Sequence, residues 1–224
     1  MKSSSAIERG KAMAESVIIY GKSGSGKSRS LINFAEDEIL LVNTIRKRLP
    51  FQKKFKYVLN GSDTNKIKDQ LGKMPCKVAV IDDCGYEMIT KFMNGHGKGD
   101  QFKLYNDIAD SIWTLFNYVK YELPDDVIVY FIFHEDSNDM GEVKIRTIGK
   151  LLDSKVSLEG LVTICLRAMK QGTNRYFFRT QSDGYDISKS PEQLFELEIP
   201  NDLKFVDSRI REFYGIGDVN ESET

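Results

Sequence analysis

Five short runs of aliphatic and aromatic residues punctuate the chain, at positions 17–20, 39–42, 78–81, 127–133 and 161–166. Each is too short and too uniformly apolar for an amphipathic helix, so each is predicted to be a strand buried on both faces. Between them apolar residues recur at helical spacing, most clearly Ile108, Ile112, Leu115, Phe116 and Val119. Strands alternating with helices predict an α/β fold with a mostly parallel central sheet flanked by helices. After Leu166 the rhythm changes. Positions 175–180 read as a strand that closes a C-terminal β-hairpin, 181–184 as a turn and 202–214 as a last helix. One domain is expected over 16–216, with a flexible N-terminus (1–15) and a flexible tail (217–224).

Two segments fit neither period. Residues 94–99 are rich in glycine, and 135–149 follow a buried-looking strand with mostly polar and charged residues, so both are expected to be loops. Loops at the ends of parallel strands are where α/β proteins place function.

Composition narrows the partners. The 224 residues carry a formal net charge of -1 and 41% hydrophobic residues, which suits one domain and excludes a polybasic histone-like or membrane-surface protein. Cys76, Cys84 and Cys165 show no metal-ligand spacing and no disulfide framework. The longest apolar run is far too short to span a bilayer, and the first residues lack the apolar core of a signal peptide. A soluble cytoplasmic protein without membrane contact is the expectation.

The strongest chemical signal is Gly21-Lys22-Ser23-Gly24-Ser25-Gly26-Lys27-Ser28. It fits G-x-x-x-x-G-K-[ST] between a predicted strand and a helical stretch expected over 29–36. Glycines let backbone N–H groups wrap phosphates, Lys27 reaches the terminal phosphate oxygens, and the Ser28 hydroxyl coordinates Mg²⁺. Lys22 is either a solvated loop cation or the counterpart of the lysine that dimeric ATPases of the MinD type send across their interface. The strand at 78–81 ends in Asp82, a second Mg²⁺ ligand, and Asp83, which either polarises water or caps the next helix. His134 and Glu135 end the strand at 127–133, where a polar residue senses a terminal phosphate or simply closes the strand. ATP is favoured over GTP, because the N-K-x-D motif is missing.

The order of parts resembles a RecA-like P-loop ATPase. More closely, it resembles phage-encoded ATP-binding proteins of DNA recombination and single-strand annealing. The blocks are Leu49-Pro50-Phe51, Ile81-Asp82-Asp83, His134-Glu135, residues 147–153, Lys189-Ser190-Pro191 and residues 199–203. The resemblance implies a Mg²⁺-dependent ATPase acting on single-stranded DNA as a ring or filament, with a single-strand binding or annealing protein as a further partner, in the host cytoplasm. It places DNA contacts at Lys98 and Lys103 in one loop and at Lys144, Arg146 and Lys150 in another. It also implies a cation supplied by a neighbouring subunit, with Arg167, Lys170, Arg175, Arg179 and Lys189 as candidates. One departure stands out: Asn43-Thr44 occupies the place of the usual catalytic glutamate, so Asp83 or Glu135 would have to serve, and slowly. Two other classes share the loop, a nucleotide-gated adaptor or helicase loader with little turnover, and a small-molecule kinase. The single arginine of 135–150 argues against a kinase lid.

Overall fold

A computed structural model describes residues 13–217. In chain order it contains β1 (Glu15–Gly21), β2 (Ile39–Asn43), β3 (Tyr57–Asn60), α1 (Thr64–Lys73), β4 (Val78–Asp82), α2 (Gly85–Gly95) and α3 (Gln101–Glu122). The second half holds β5 (Ile128–Ser137), β6 (Val143–Ile145), α4 (Lys150–Ser154), β7 (Ile164–Gln171), β8 (Arg175–Arg179), β9 (Glu198–Pro200) and α5 (Leu203–Tyr214). The strands form one mixed sheet in the order β3-β2-β4-β5-β1-β7-β8-β9, with β6 paired to β5. From β3 to β7 every neighbour is parallel, and β8 and β9 add antiparallel strands at one edge. The fold is therefore α/β with a mostly parallel sheet, as the alternating pattern predicts.

Strand alternation sorts the core into two layers. Tyr20, Ile81 and Phe133 face α2 and α3, where Ile108, Ile112 and Leu115 meet them. Their neighbours Ile19, Val80 and Ile132 face the other way, towards Leu31, Phe34, Val206 and Ile210. Each such fully buried side chain contributes about 1.5–3 kcal/mol. α3 starts at an N-cap, Asp100, which accepts from the backbone N–H groups of Phe102 and Lys103. At 1.5 Å per residue its 22 residues span about 33 Å, against about 17 Å for five-residue β4. Its buried stripe begins only at Ile108, so its first two turns extend beyond the carboxyl edge of the sheet.

Several expectations change. β1 begins at Glu15 and Ala14 is buried, inside the segment expected to be flexible, whereas 1–12 and 218–224 lie outside the described residues. The helix expected over 29–36 is one 3-10 turn, Ser28–Leu31, followed by turns. Its carbonyls are taken by other donors: the Ser30 hydroxyl donates to Lys27 O, and the Lys53 ammonium to the carbonyls of Ile32 and Phe34. Residues 135–149 are not a loop throughout. β5 continues to Ser137, turns at 138–142 and returns antiparallel as β6, because Val143 and Ile145 bury while Lys144 between them is exposed. In 94–99, α2 runs to Gly95, and the reversal falls at Gly97 and Gly99, both with left-handed φ. The pattern did not predict β3, β9, α1 or α4, and α2 enters the sequence reading only as the helix that Asp83 would cap. No helix among the described residues is long and apolar enough to cross a membrane.

Candidate functional site

The glycine-rich loop leaves the carboxyl end of β1, with Gly24 and Gly26 at φ 77° and 97°. Gly26 also has no room for a side chain: a Cβ there would lie 2.8 Å from Tyr176 Cδ1 and 3.0 Å from Asn201 Oδ1. Asn201 is buried, and neither polar atom of its amide has a hydrogen-bond partner among the described residues. Lys27 is 6% exposed and donates to the carbonyls of Gly21 (2.8 Å) and Lys22 (2.7 Å). Burial pulls its ammonium down to about 8, although Asp83 and Asp82 stand nearby. The loop thus presents a desolvated cation that an anion would stabilise.

Ser28 meets Asp82 from across the sheet, its hydroxyl donating at 3.0 and 2.9 Å to the two carboxylate oxygens. Asp82 is 2% exposed, and burial, with Asp83 adjacent, raises its carboxyl above the ordinary range. Asp83 behaves oppositely. Burial works to raise it too, but His134 and Lys47 outweigh burial and hold it below the usual carboxylate range. His134 Nε2 lies 3.2 Å from Asp83 Oδ1, and the Lys47 ammonium pairs with Oδ2. Asp83 sits at φ 56°, a left-handed conformation that costs a non-glycine residue roughly 1–3 kcal/mol. It is not an N-cap of α2, whose capping residue is Cys84.

Asn43 and Thr44, standing where a glutamate was sought, have structural work. The Thr44 hydroxyl lies 2.8 Å from Asp82 O and 2.9 Å from Asp83 O, tying the end of β2 to the end of β4. The Asn43 amide brackets the following turn by donating to Lys47 O and accepting from Lys47 N. That turn delivers Lys47 to Asp83. Glu135 faces the other layer, with Phe133, and accepts from Arg167 Nε at 2.9 Å and Nη2 at 3.1 Å. Arg167 also donates to Asp186. Two cavities of about 540 Å³ each meet at Ser23, Lys47, Asp83 and His134. One continues along Gly24, Lys27, Ser28, Arg29 and Tyr176, the other towards Lys22, Glu135, Asp136 and Arg146.

The other sequence candidates are scattered. Lys98 donates to Asn94 O and Lys103 pairs with Asp107. Lys144 stands opposite Asp136 in the β5–β6 ladder, and Arg146 lies 3.9 Å from the same carboxylate. Lys150 opens α4. The second predicted loop ends against α3, since a Cβ on Gly149 would lie 3.0 Å from the Tyr105 ring. On the antiparallel edge, Lys170 lies over the Tyr176 ring, Arg175 pairs with Glu198, Arg179 with Asp183, and Lys189 bridges by its backbone to Cys165. Lys47, Tyr176 and Asn201 were not anticipated. Lys47 had a signal as part of an uninterrupted basic run, and Asn201 as part of the 199–203 block. No family model matches the chain, and no curated protein matches it.

Proposed function

We propose that the chain is a RecA-like P-loop ATPase that binds ATP with Mg²⁺ and acts on single-stranded DNA in recombination, annealing or replication. The convergence of Ser28 and Asp82, 54 positions apart, beside the buried Lys27 carries this reading. A hydroxyl and a buried carboxylate are hard oxygen donors that suit Mg²⁺, and Ser28 and Asp82 would hold it. Bound there, the metal would neutralise charge on the phosphate oxygens. The loop's N–H groups and Lys27 bind the phosphates, and Thr44 fixes the backbone that aims Asp82. His134 stands between the loop and the hairpin as a sensor. Asp83, held below the usual carboxylate range by His134 and Lys47, is a weak base, and both oxygens of Glu135 are occupied by Arg167, an arrangement that predicts slow turnover. The same pairing favours one alternative, a nucleotide-gated adaptor or loader that binds without hydrolysis.

Lys27→Ala tests the core of the reading. Loss of a charge-assisted contact worth about 1.5–3 kcal/mol should weaken ATP binding roughly ten- to hundredfold with an unchanged unfolding midpoint. Phosphate binding should also restore the Lys27 proton. Between pH 8 and 10 calorimetry in buffers of different ionisation enthalpy should show proton uptake that the variant lacks. Unchanged affinity would remove the phosphate-site argument. Turnover stimulated by single strands supports the ATPase reading; tight binding with none supports the adaptor.

A further inference from the structure

The β2–β3 connection, residues 45–56, carries Arg46, Lys47, Arg48, Lys53, Lys54 and Lys56 and no acidic residue, in a chain of net charge -1. Elsewhere the signs are mixed: residues 135–150 hold Glu135, Asp136, Asp139 and Glu142 against Lys144, Arg146 and Lys150. Lys47 is engaged by Asp83, and Lys53 by the carbonyls of Ile32 and Phe34. Arg46, Arg48 and Lys54 are exposed, and among the described residues their side chains have no hydrogen-bond or ion-pair partner. Six like charges on a short connection repel one another, a cost that a bound polyanion would convert into affinity.

The connection is ordered. Asn43 brackets its first turn, Phe51 meets buried Phe55 edge-on at 6.5 Å, and Lys56 N donates to Glu36 O at 2.7 Å. Arg48, Lys53 and Lys54 line an open groove of about 920 Å³ together with Leu49, Pro50 and Phe51, against one acidic residue, Glu36. Lys47, Arg48 and Pro50 also line the cavity beside Lys27 and Ser28. The basic strip therefore starts at the candidate nucleotide site and runs away from it along one strap.

We propose that this strap is the principal backbone-binding surface for single-stranded nucleic acid, a role that the family resemblance gives instead to Lys98, Lys103, Lys144, Arg146 and Lys150. Cations alternate with an apolar wall, which matches a strand whose phosphates and unstacked bases are both accessible; a duplex offers the strap phosphates alone. That the polyanion is nucleic acid rests on the proposed function. The position of the surface rests on the charge and geometry of the strap.

The test uses the full chain, fluorescence anisotropy with a thymidine oligonucleotide, and a salt series. The triple variant Arg46→Gln, Lys54→Gln, Lys56→Gln should lower the slope of log affinity against log salt by about two, at about 0.7 per lost phosphate contact. The double variant Lys54→Gln, Lys56→Gln, which spares the left-handed backbone at Arg46, should lower it by about 1.4. ATP affinity should be unchanged in both. Lys144→Gln, Arg146→Gln, Lys150→Gln should change the slope by less than one. The proposal is overturned by an unchanged slope in both strap variants, by a larger loss in the hairpin variant, or by tighter binding of a duplex of equal length. Binding by the wild type with only the hairpin variant impaired sinks the strap and leaves the proposed function standing. No binding by the wild type in any nucleotide state sinks both.

Discussion

β4 and β5 are neighbours, and each delivers two consecutive polar residues to the carboxyl edge, Asp82-Asp83 and His134-Glu135. Their fates differ because the backbones differ. β4 stops at Asp82, and the left-handed turn at Asp83 keeps both carboxylates beside the glycine-rich loop. β5 stays extended to Ser137, so alternation sends His134 towards Asp83 and Glu135 to the opposite layer, onto Arg167. Two adjacent polar residues on an extended strand take different partners, here even where both line one cavity.

The strongest test of that contrast is Asp82→Asn, which should cut Mg²⁺-dependent hydrolysis by several kcal/mol of barrier, on the order of a thousandfold, with folding preserved. Single-turnover hydrolysis measures it. Glu135→Gln should act on stability: weakening a largely buried pair with Arg167 costs about 2 kcal/mol, read as a lower denaturant midpoint, with turnover per folded molecule nearly unchanged. If Glu135→Gln instead abolishes turnover at full stability, the contrast fails and Glu135 is catalytic. The smallest effect is at Asp83. Its carboxyl lies below the unfolded value near 3.8, so the stability it adds is full above about pH 4 and disappears as the pH falls through the lower folded value. Asp83→Asn tolerates the left-handed backbone. Its stability deficit against the wild type should be largest near neutrality and shrink in acid, as followed by unfolding at pH 7, 5 and 3.

The same contrast explains what was legible in the sequence. Four of the five apolar runs became strands, and the fifth only from Ile164, after a 3-10 turn at Leu158–Leu161, because burial on both faces leaves an unbroken apolar signature; the glycine-rich loop was readable because each fixed position has its own chemical reason. β3 escaped because it is four residues long and half-buried at most, with apolar Val58 on its exposed side hiding the alternation of Tyr57 and Leu59. β6 escaped because two buried residues around one lysine are too few to show a period. Lys47 could not be paired with Asp83 from spacing, since that contact needs β2 beside β4 and a turn held by Asn43. Opposite signs at 135–150 read as a cationic loop with acidic dilution; in three dimensions Asp136 stands opposite Lys144 in a ladder and near Arg146.

The contact of Gly26 with Tyr176 and Asn201 has a consequence in time. A ribosome delivers those two residues 150 and 175 positions after the glycine whose side-chain space they fill. At about 5–20 residues per second, the nascent chain carries the whole glycine-rich motif for roughly 8–35 s before both residues exist. Nucleotide capture should therefore be a property of the finished chain: a version ending before β8 would contain every residue of the motif and still lack the surface that shapes it.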